Sequence, residues 1–354
     1  MSFLRKVLQR LGFMIITLVA MSLLIFLLVE IMPGDVAQMV LGQSVTPESL
    51  KALRESMGLN DPFYLRYLRW FTGLLRGDLG ESLYMRGVAI NLILWRKVFH
   101  SVILALTAVL FYVPLSIFFG VLAGVRSGKL TDSVISFFGL ATMALPEFVS
   151  GVLLITLFSV VLKALPITSV IPIGESIWGN LDILVLPAFS VTIVMFGYVS
   201  RMQRSSMIQV MSSDYIRAAE LKGLPRAYVI FRHALKNALL PTITIIGMNM
   251  GWLFGGLIVV ETLFGYPGLG SLTMTAIKTR DVPLIEACVL FITFIFVIST
   301  FITDLLYGLL NPRIRFAGAE KLSGSSTFFN STLWPLWASW SCCCGSLLPC
   351  SDRA

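Results

Sequence analysis

Long apolar runs alternate with polar stretches along most of this chain. A run of at least about 18 apolar residues reads as a membrane-spanning helix, because that length crosses the hydrocarbon of a bilayer. Six runs meet or approach it: Leu11 to Met32, Val98 to Val125, Ser133 to Leu162, Ile183 to Val199, Ala238 to Val260 and Ala287 to Leu310. The pattern predicts an all-α integral membrane protein with six transmembrane helices. Arg5, Lys6 and Arg10 give the first run the look of a signal peptide. It is longer than an h-region of about 7–15 residues and no small-x-small cleavage pattern follows, so a retained helix is expected. Pro114, Pro146 and Pro187 fall inside spans or at their mouths. Neighbouring helices can satisfy the backbone groups that such kinks release.

The polar stretches differ in charge. With a cytoplasmic N-terminus, the inner segments are 1–10, 126–132, 200–237 and 311 onward, and 200–237 alone holds seven Lys and Arg. The short outer segments 163–182 and 261–286 hold only Lys163, Lys278 and Arg280. This asymmetry follows the positive-inside rule and predicts that both termini are cytoplasmic. The long 33–97 segment carries several Arg, but long loops obey the rule weakly. Within it, Thr46-Pro47-Glu48 signals a helix over 48–57 stopped by Gly58, and Asp61-Pro62 opens a second helix bearing Tyr64, Tyr67, Trp70 and Phe71. These pieces are expected to form a small extracytoplasmic cap over the bundle.

Composition narrows the function classes. Hydrophobic residues make up 56% of the 354 and charged residues 13%, against about 25% charged in a soluble domain. With only His100 and His233, a metal site or a membrane enzyme has too few ligands, and no cofactor is expected. Cys288 lies in an apolar run and reads as a small core residue. No disulfide framework is legible. There is no G-x-x-x-x-G-K-[ST] loop, so any ATPase must be another chain.

The stretch Ser212 to Pro241 is longer and more polar than a simple turn needs. Ser213 or Asp214 suits an N-cap, and Asp214 suits the positive end of the helix dipole. Tyr215, Ala218, Ala219 and Lys222 follow i, i+3, i+4, i+7 and are expected to share one face. The two alanines would let a partner come close. Arg217 has i,i+3 partners in Asp214 and Glu220. Gly223 ends the helix and Pro225 prevents its continuation. The alternative is a capped surface helix between two spans.

This segment resembles the "EAA" loop of ATP-binding-cassette (ABC) importer permeases, which pairs Glu-Ala-Ala with a Gly and a later Leu-Pro. Here Arg217-Ala218-Ala219, Gly223 and Leu240-Pro241 stand in that order. Arg217 in place of the Glu, with His233 and Lys236 further on, is similar to the dipeptide, oligopeptide and nickel branch. Met32-Pro33-Gly34-Asp35, Gly77-Asp78-Leu79-Gly80, Leu145-Pro146-Glu147-Phe148, Glu261-Thr262-Leu263-Phe264 with Pro267-Gly268-Leu269-Gly270, and Asn311-Pro312-Arg313-Ile314-Arg315 agree with it. The resemblance covers 1 to about 316. It implies a type I ABC importer permease fold in the bacterial inner membrane: an N-terminal helix 1–32, an extracytoplasmic segment 33–97, and a core 98–316 of five further spans. The coupling loop would be 200–237. It further implies that Asp214, Tyr215, Arg217, Ala218, Ala219, Lys222 and Gly223, on a 212–224 helix, engage a cytoplasmic ATPase. A second homologous permease, a periplasmic substrate-binding protein and membrane lipid are the other implied partners, with no nucleic acid. The implied cargo is a di- or oligopeptide. Nickel or another small solute is the alternative within the branch. A self-contained secondary transporter would need paired broken helices and inverted repeats, which are not evident.

Glu147, Asn249 and Glu261 are polar groups in or beside spans and are candidates for the substrate path. Asp304 reads instead as a structural contact near the end of the last span. Gly247, Gly251 and Gly255 at four-residue spacing fit close helix packing, within the bundle or between two permeases. After Phe316 the chain turns Ser- and Trp-rich, with Cys342-Cys343-Cys344 and Cys350. The expectation for 317–354 is a tail without selected function. The rival is a lipidated or metal-binding cysteine cluster.

Overall fold

The computed structural model describes residues 3–31, 46–56, 60–85, 87–171 and 177–310. The Met32–Asp35 and Asn311–Arg315 motifs, Gly58, the 317–354 tail and the side chain of Asp304 lie outside what it describes. In chain order the helices of eight or more residues are α1 (Phe3–Ile31), α2 (Pro47–Ser56), α3 (Phe63–Leu75), α4 (Ile90–Val125), α5 (Leu130–Ala144), α6 (Glu147–Leu154), α7 (Asp182–Met211), α8 (Asp214–Leu221), α9 (Leu235–Phe264), α10 (Leu269–Thr279) and α11 (Val282–Leu310). The described residues contain no strand, only an isolated bridge between Glu81 and Ala89.

Among the described residues five helical stretches are long and apolar enough to cross a membrane: Val7–Ile31, Ile90–Val125, Asp182–Met211, Arg226–Phe264 and Val282–Thr303. The third expected span, Ser133 to Leu162, is not one helix but two pieces, Leu130–Ala144 and Glu147–Val161, bent by 105°. The cause is local. Leu145 precedes a proline and is driven to extended backbone, ψ 124°. Pro146 is then well placed to open a new helix at Glu147. The Ser150 and Ser190 hydroxyls donate to the Glu147 carbonyl at 2.7 and 3.1 Å and tie the break to α7.

α7 is the central helix. In its most apolar window 72% of residues are buried, against 17% for α1, so α7 lies at the centre of the chain and α1 at its edge. α4, α5, α6 and α9 all pack on α7. Tyr112, Leu184, Val191, Met195, Leu253 and Phe264 form the heart of this core. Glycine permits the close approaches, because any Cβ there would collide. Gly120 of α4 lies against Gln203 of α7, and Gly197 of α7 lies against the Gly139 carbonyl of α5. Gly247 and Gly251 of α9 meet Thr303 and Phe296 of α11, while Gly255 faces open space. The first two glycines therefore serve packing within the chain.

α3, expected in a cap over the bundle, packs against α1. It does so through Arg66, Tyr67 and Trp70. Arg66 pairs with Glu30 at 2.8 Å, and the Tyr67 hydroxyl meets Ser22 at 2.9 Å with its ring 5.4 Å from Phe26. Ser22, Phe26 and Glu30 follow one another at four-residue spacing, so α3 touches a single stripe of α1. Its aromatic stripe needs an apolar surface, and α1 supplies one. The Gly77–Gly80 motif then forms a turn, with both glycines at positive φ and the Gly80 amide donating to Asp78 at 2.9 Å.

Candidate functional site

Three places in the bundle carry the polar residues singled out by the sequence. The first is the 200–237 loop. α8 sits at the same end of the bundle as the 126–132 turn, because Ile216, Ala219, Val229, Ala234 and Ala238 pack with Met207 of α7 and, at their margin, Val121 and Val125 of α4. A carboxylate–guanidinium pair braces this end. Arg204 donates from Nε and from NH2 (2.7 Å) to Asp132, which also accepts the Gly128 amide at 2.9 Å.

α8 differs from its expected orientation in one respect. Ala219 is only 9% exposed and, with Ile216, faces the bundle. It is not part of the outward face with Tyr215, Ala218 and Lys222. The outward residues are Asp214, Tyr215, Arg217, Ala218, Lys222 and Leu221, which is 89% exposed. Leu221 went unnoticed in the sequence, although Ala218 and Leu221 repeat at i,i+3. Ser213 occupies the N-cap position, but its hydroxyl donates back to the Val210 carbonyl at 2.5 Å. Tyr215 is held in place by Asn237, whose amide donates to its hydroxyl at 2.9 Å. Gly223 takes φ +75°, a left-handed conformation that favours glycine, and its amide closes the turn on the Glu220 carbonyl at 2.9 Å.

The second place is at the opposite end. Glu261 is fully buried near the end of α9 and its carboxylate is engaged on all sides. It accepts the Ser101 hydroxyl of α4, the Gly270 amide at 2.7 Å and the Ser271 amide at 3.1 Å, and it packs against Gly268. The Ser101 hydroxyl oxygen in turn accepts the Leu269 amide at 2.7 Å. Tyr266 donates to the His100 carbonyl at 2.9 Å. Glu261, expected on the substrate path, is thus a pin that locks the 265–270 turn onto α4. Asp281 accepts the Ser82 hydroxyl at 2.5 Å and the Tyr84 amide at 3.1 Å, fastening the 82–84 stretch to the α10–α11 turn.

The third place is the α5–α6 break. A cavity of about 440 Å³ opens there between α7 and α9, lined by Glu147, Phe148, Tyr198 and Trp252 among others. Oε1 of Glu147 is buried without a hydrogen-bond partner. The carboxylate lies against Gly256 of α9, where a Cβ would come within 2.5 Å of it. Asn249 has a buried, unpartnered Nδ2. It stands three residues before Trp252 and seven before Gly256, so the three share a face of α9, although Asn249 does not line the cavity. Among the described residues no cluster of His, Cys, Asp or Glu could hold a metal ion.

Comparison with known proteins assigns this architecture. The model for the inner membrane component of binding-protein-dependent transport systems matches residues 116–316, and that for the N-terminal part of such membrane components matches 3–84. The chain belongs to this family. It is 33% identical over 310 residues to the "probable peptide ABC transporter permease protein y4tP" of Sinorhizobium fredii, covering 88% of this chain and 99% of that protein. It is 34% identical to the "dipeptide transport system permease protein DppB" of Escherichia coli, covering 88% and 99%. The crystal structure of an amino acid ABC transporter with histidines aligns with a TM-score of 0.44 at 17% identity, over 62% of this chain and 94% of that one.

This permease is therefore a multi-pass protein of the inner membrane and a transport subunit of an ABC importer. The family's description makes the chain the membrane component of a binding-protein-dependent system, and in an ABC importer ATP hydrolysis belongs to a separate ATPase subunit.

Proposed function

We propose that this permease imports peptides, and that it takes its drive through α8. The observation that carries the coupling half is the outward face of α8. An eight-residue helix projects Leu221, Ala218 and Tyr215 from a buried footing of Ile216 and Ala219. An exposed leucine on a rigid, basic loop suits a groove in a partner better than it suits water. The peptide half is supported by the names of the two relatives above. On this reading the 126–132 and 200–237 end is cytoplasmic, as are both termini, and the Glu261 end faces the binding protein. Closure of two ATPases would draw together α8 and its counterpart on a second, homologous permease. The 200–237 loop would then tilt α7 and α9, which flank the Glu147 cavity.

The experiment is purification from native membranes in mild detergent, with mass spectrometry of the companions, beside a Leu221→Glu chain. An ATPase that co-purifies with the native chain and is lost with Leu221→Glu supports the coupling role. Uptake of labelled trialanine by vesicles holding the complex, dependent on ATP and the binding protein, supports the peptide cargo. Uptake of nickel instead would replace it. A chain that purifies alone and moves solute without ATP would overturn both.

A further inference from the structure

The Glu147 cavity carries more than a place on a path. Glu147 is the sole acidic or basic residue among those lining it, and the walls are otherwise apolar or aromatic. Its backbone carbonyl, not its carboxylate, holds the break together through Ser150 and Ser190. The carboxylate is left with no ion pair among the described residues and a buried, unpartnered oxygen. Gly256 gives it room. A carboxylate with one oxygen buried and unpartnered is costly and gains most from a cation. Tyr198 and Trp252 line the same cavity with ring centroids 6.4 Å apart and planes at 55°. Two tilted rings beside an acid offer an ammonium group both a counter-charge and π faces. A divalent metal would want several oxygen or nitrogen ligands, and one carboxylate does not supply them. The volume is within the range of small-molecule pockets, about 300–1,000 Å³.

We infer that this cavity is a recognition site for an organic ammonium group, with Glu147 as counter-ion and Tyr198 and Trp252 as its aromatic walls. Resting on the peptide-import reading, the natural occupant is the N-terminal ammonium of a peptide in transit. The site explains how a path with mostly apolar walls can engage every peptide alike. The amino terminus is common to all of them, while the side chains project into the remaining apolar space.

The test uses the detergent-purified importer with its co-purifying subunits, without the binding protein. Tryptophan emission is followed as propylammonium, trialanine or N-acetyltrialanine is added. A Trp252→Phe complex identifies the part of the signal that comes from the cavity. The expected result is a saturable change with propylammonium and trialanine and none with N-acetyltrialanine. Glu147→Gln should weaken the response at least about tenfold, about 1.4 kcal/mol. Glu147→Asp should keep part of it, which separates loss of charge from loss of fold. An undiminished propylammonium response in Glu147→Gln, or no response in the native complex, overturns the site. If propylammonium binds through Glu147 but trialanine neither binds nor is taken up, the ammonium site stands and the peptide reading fails. If trialanine uptake is normal and indifferent to Glu147, the reverse holds.

Discussion

Glu261→Ala gives the sharpest test of the pin at the far end of α9. The substitution removes the acceptor for three donors, the Ser101 hydroxyl and the Gly270 and Ser271 amides. A buried donor left without a partner costs about 1–3 kcal/mol. The Ser101 hydroxyl can rotate toward another acceptor, whereas the two amides are fixed by the start of α10. A total loss of about 2–6 kcal/mol is therefore expected from the two amides. At about 2–4 °C per kcal/mol, the midpoint of thermal unfolding should fall by about 4–24 °C. Glu261→Gln keeps a carbonyl oxygen for the two amides and can turn its NH2 toward the Ser101 oxygen, so it should lose less than half as much. The assay is thermal unfolding of the purified complex in detergent, paired with uptake kinetics in vesicles. If Glu261→Ala unfolds with the native chain while KM rises, the residue belongs to the path and the reasoning is wrong.

Leu221→Glu should leave the unfolding midpoint close to native and reduce ATP-driven uptake by about tenfold or more, the cost of one well-buried interface anchor. Ala219→Glu, two residues earlier, should instead destabilise the chain, because it forces a charge against Ile216 and Met207; a stable Ala219→Glu chain would contradict the orientation of α8. Asp132→Ala should cost about 2–4 kcal/mol, below the 3–5 of a fully buried pair, because the Arg204 side chain is 32% exposed; a denaturation midpoint unchanged from the native chain would refute it. Gly197→Ala should cost about 1–3 kcal/mol through overpacking, since its Cβ would meet the Gly139 carbonyl, Met143 and Thr142. Crosslinking of cysteines placed across α5 and α7 would report whether the helices separate.

The spans were legible because lipid imposes a simple demand: about 20 uncharged apolar residues, with every backbone group satisfied inside the helix. The chain's own residues also fix α8. Ser213 opens it, Gly223 closes it through a left-handed turn, and Pro225 prevents its return. Pro146 marked the break at Leu145, since a residue before proline avoids helical backbone. These are local effects, acting over one or two turns, and the family resemblance rested on the same local motifs.

The sites obeyed a different scale. Spacing places Ala218 and Ala219 on neighbouring lines of a helix but cannot say which line meets the bundle; the position of α7 and the 229–238 segment decided that Ala219 turns inward. Glu147 and Glu261 look alike in sequence, each an acid beside a span. Glu261 found Ser101, 160 residues away, and two free amides at the start of α10, and became a structural pin. Glu147 found Gly256 and two aromatic rings on other helices and kept an unpartnered oxygen. What the sequence by itself determined was where the chain can cross a membrane and where a helix must start or stop, because those depend on composition and backbone over a few residues. What each buried charge does was decided only by the tertiary structure, because hydrogen-bond partners and desolvation come from chain segments that the sequence does not place side by side.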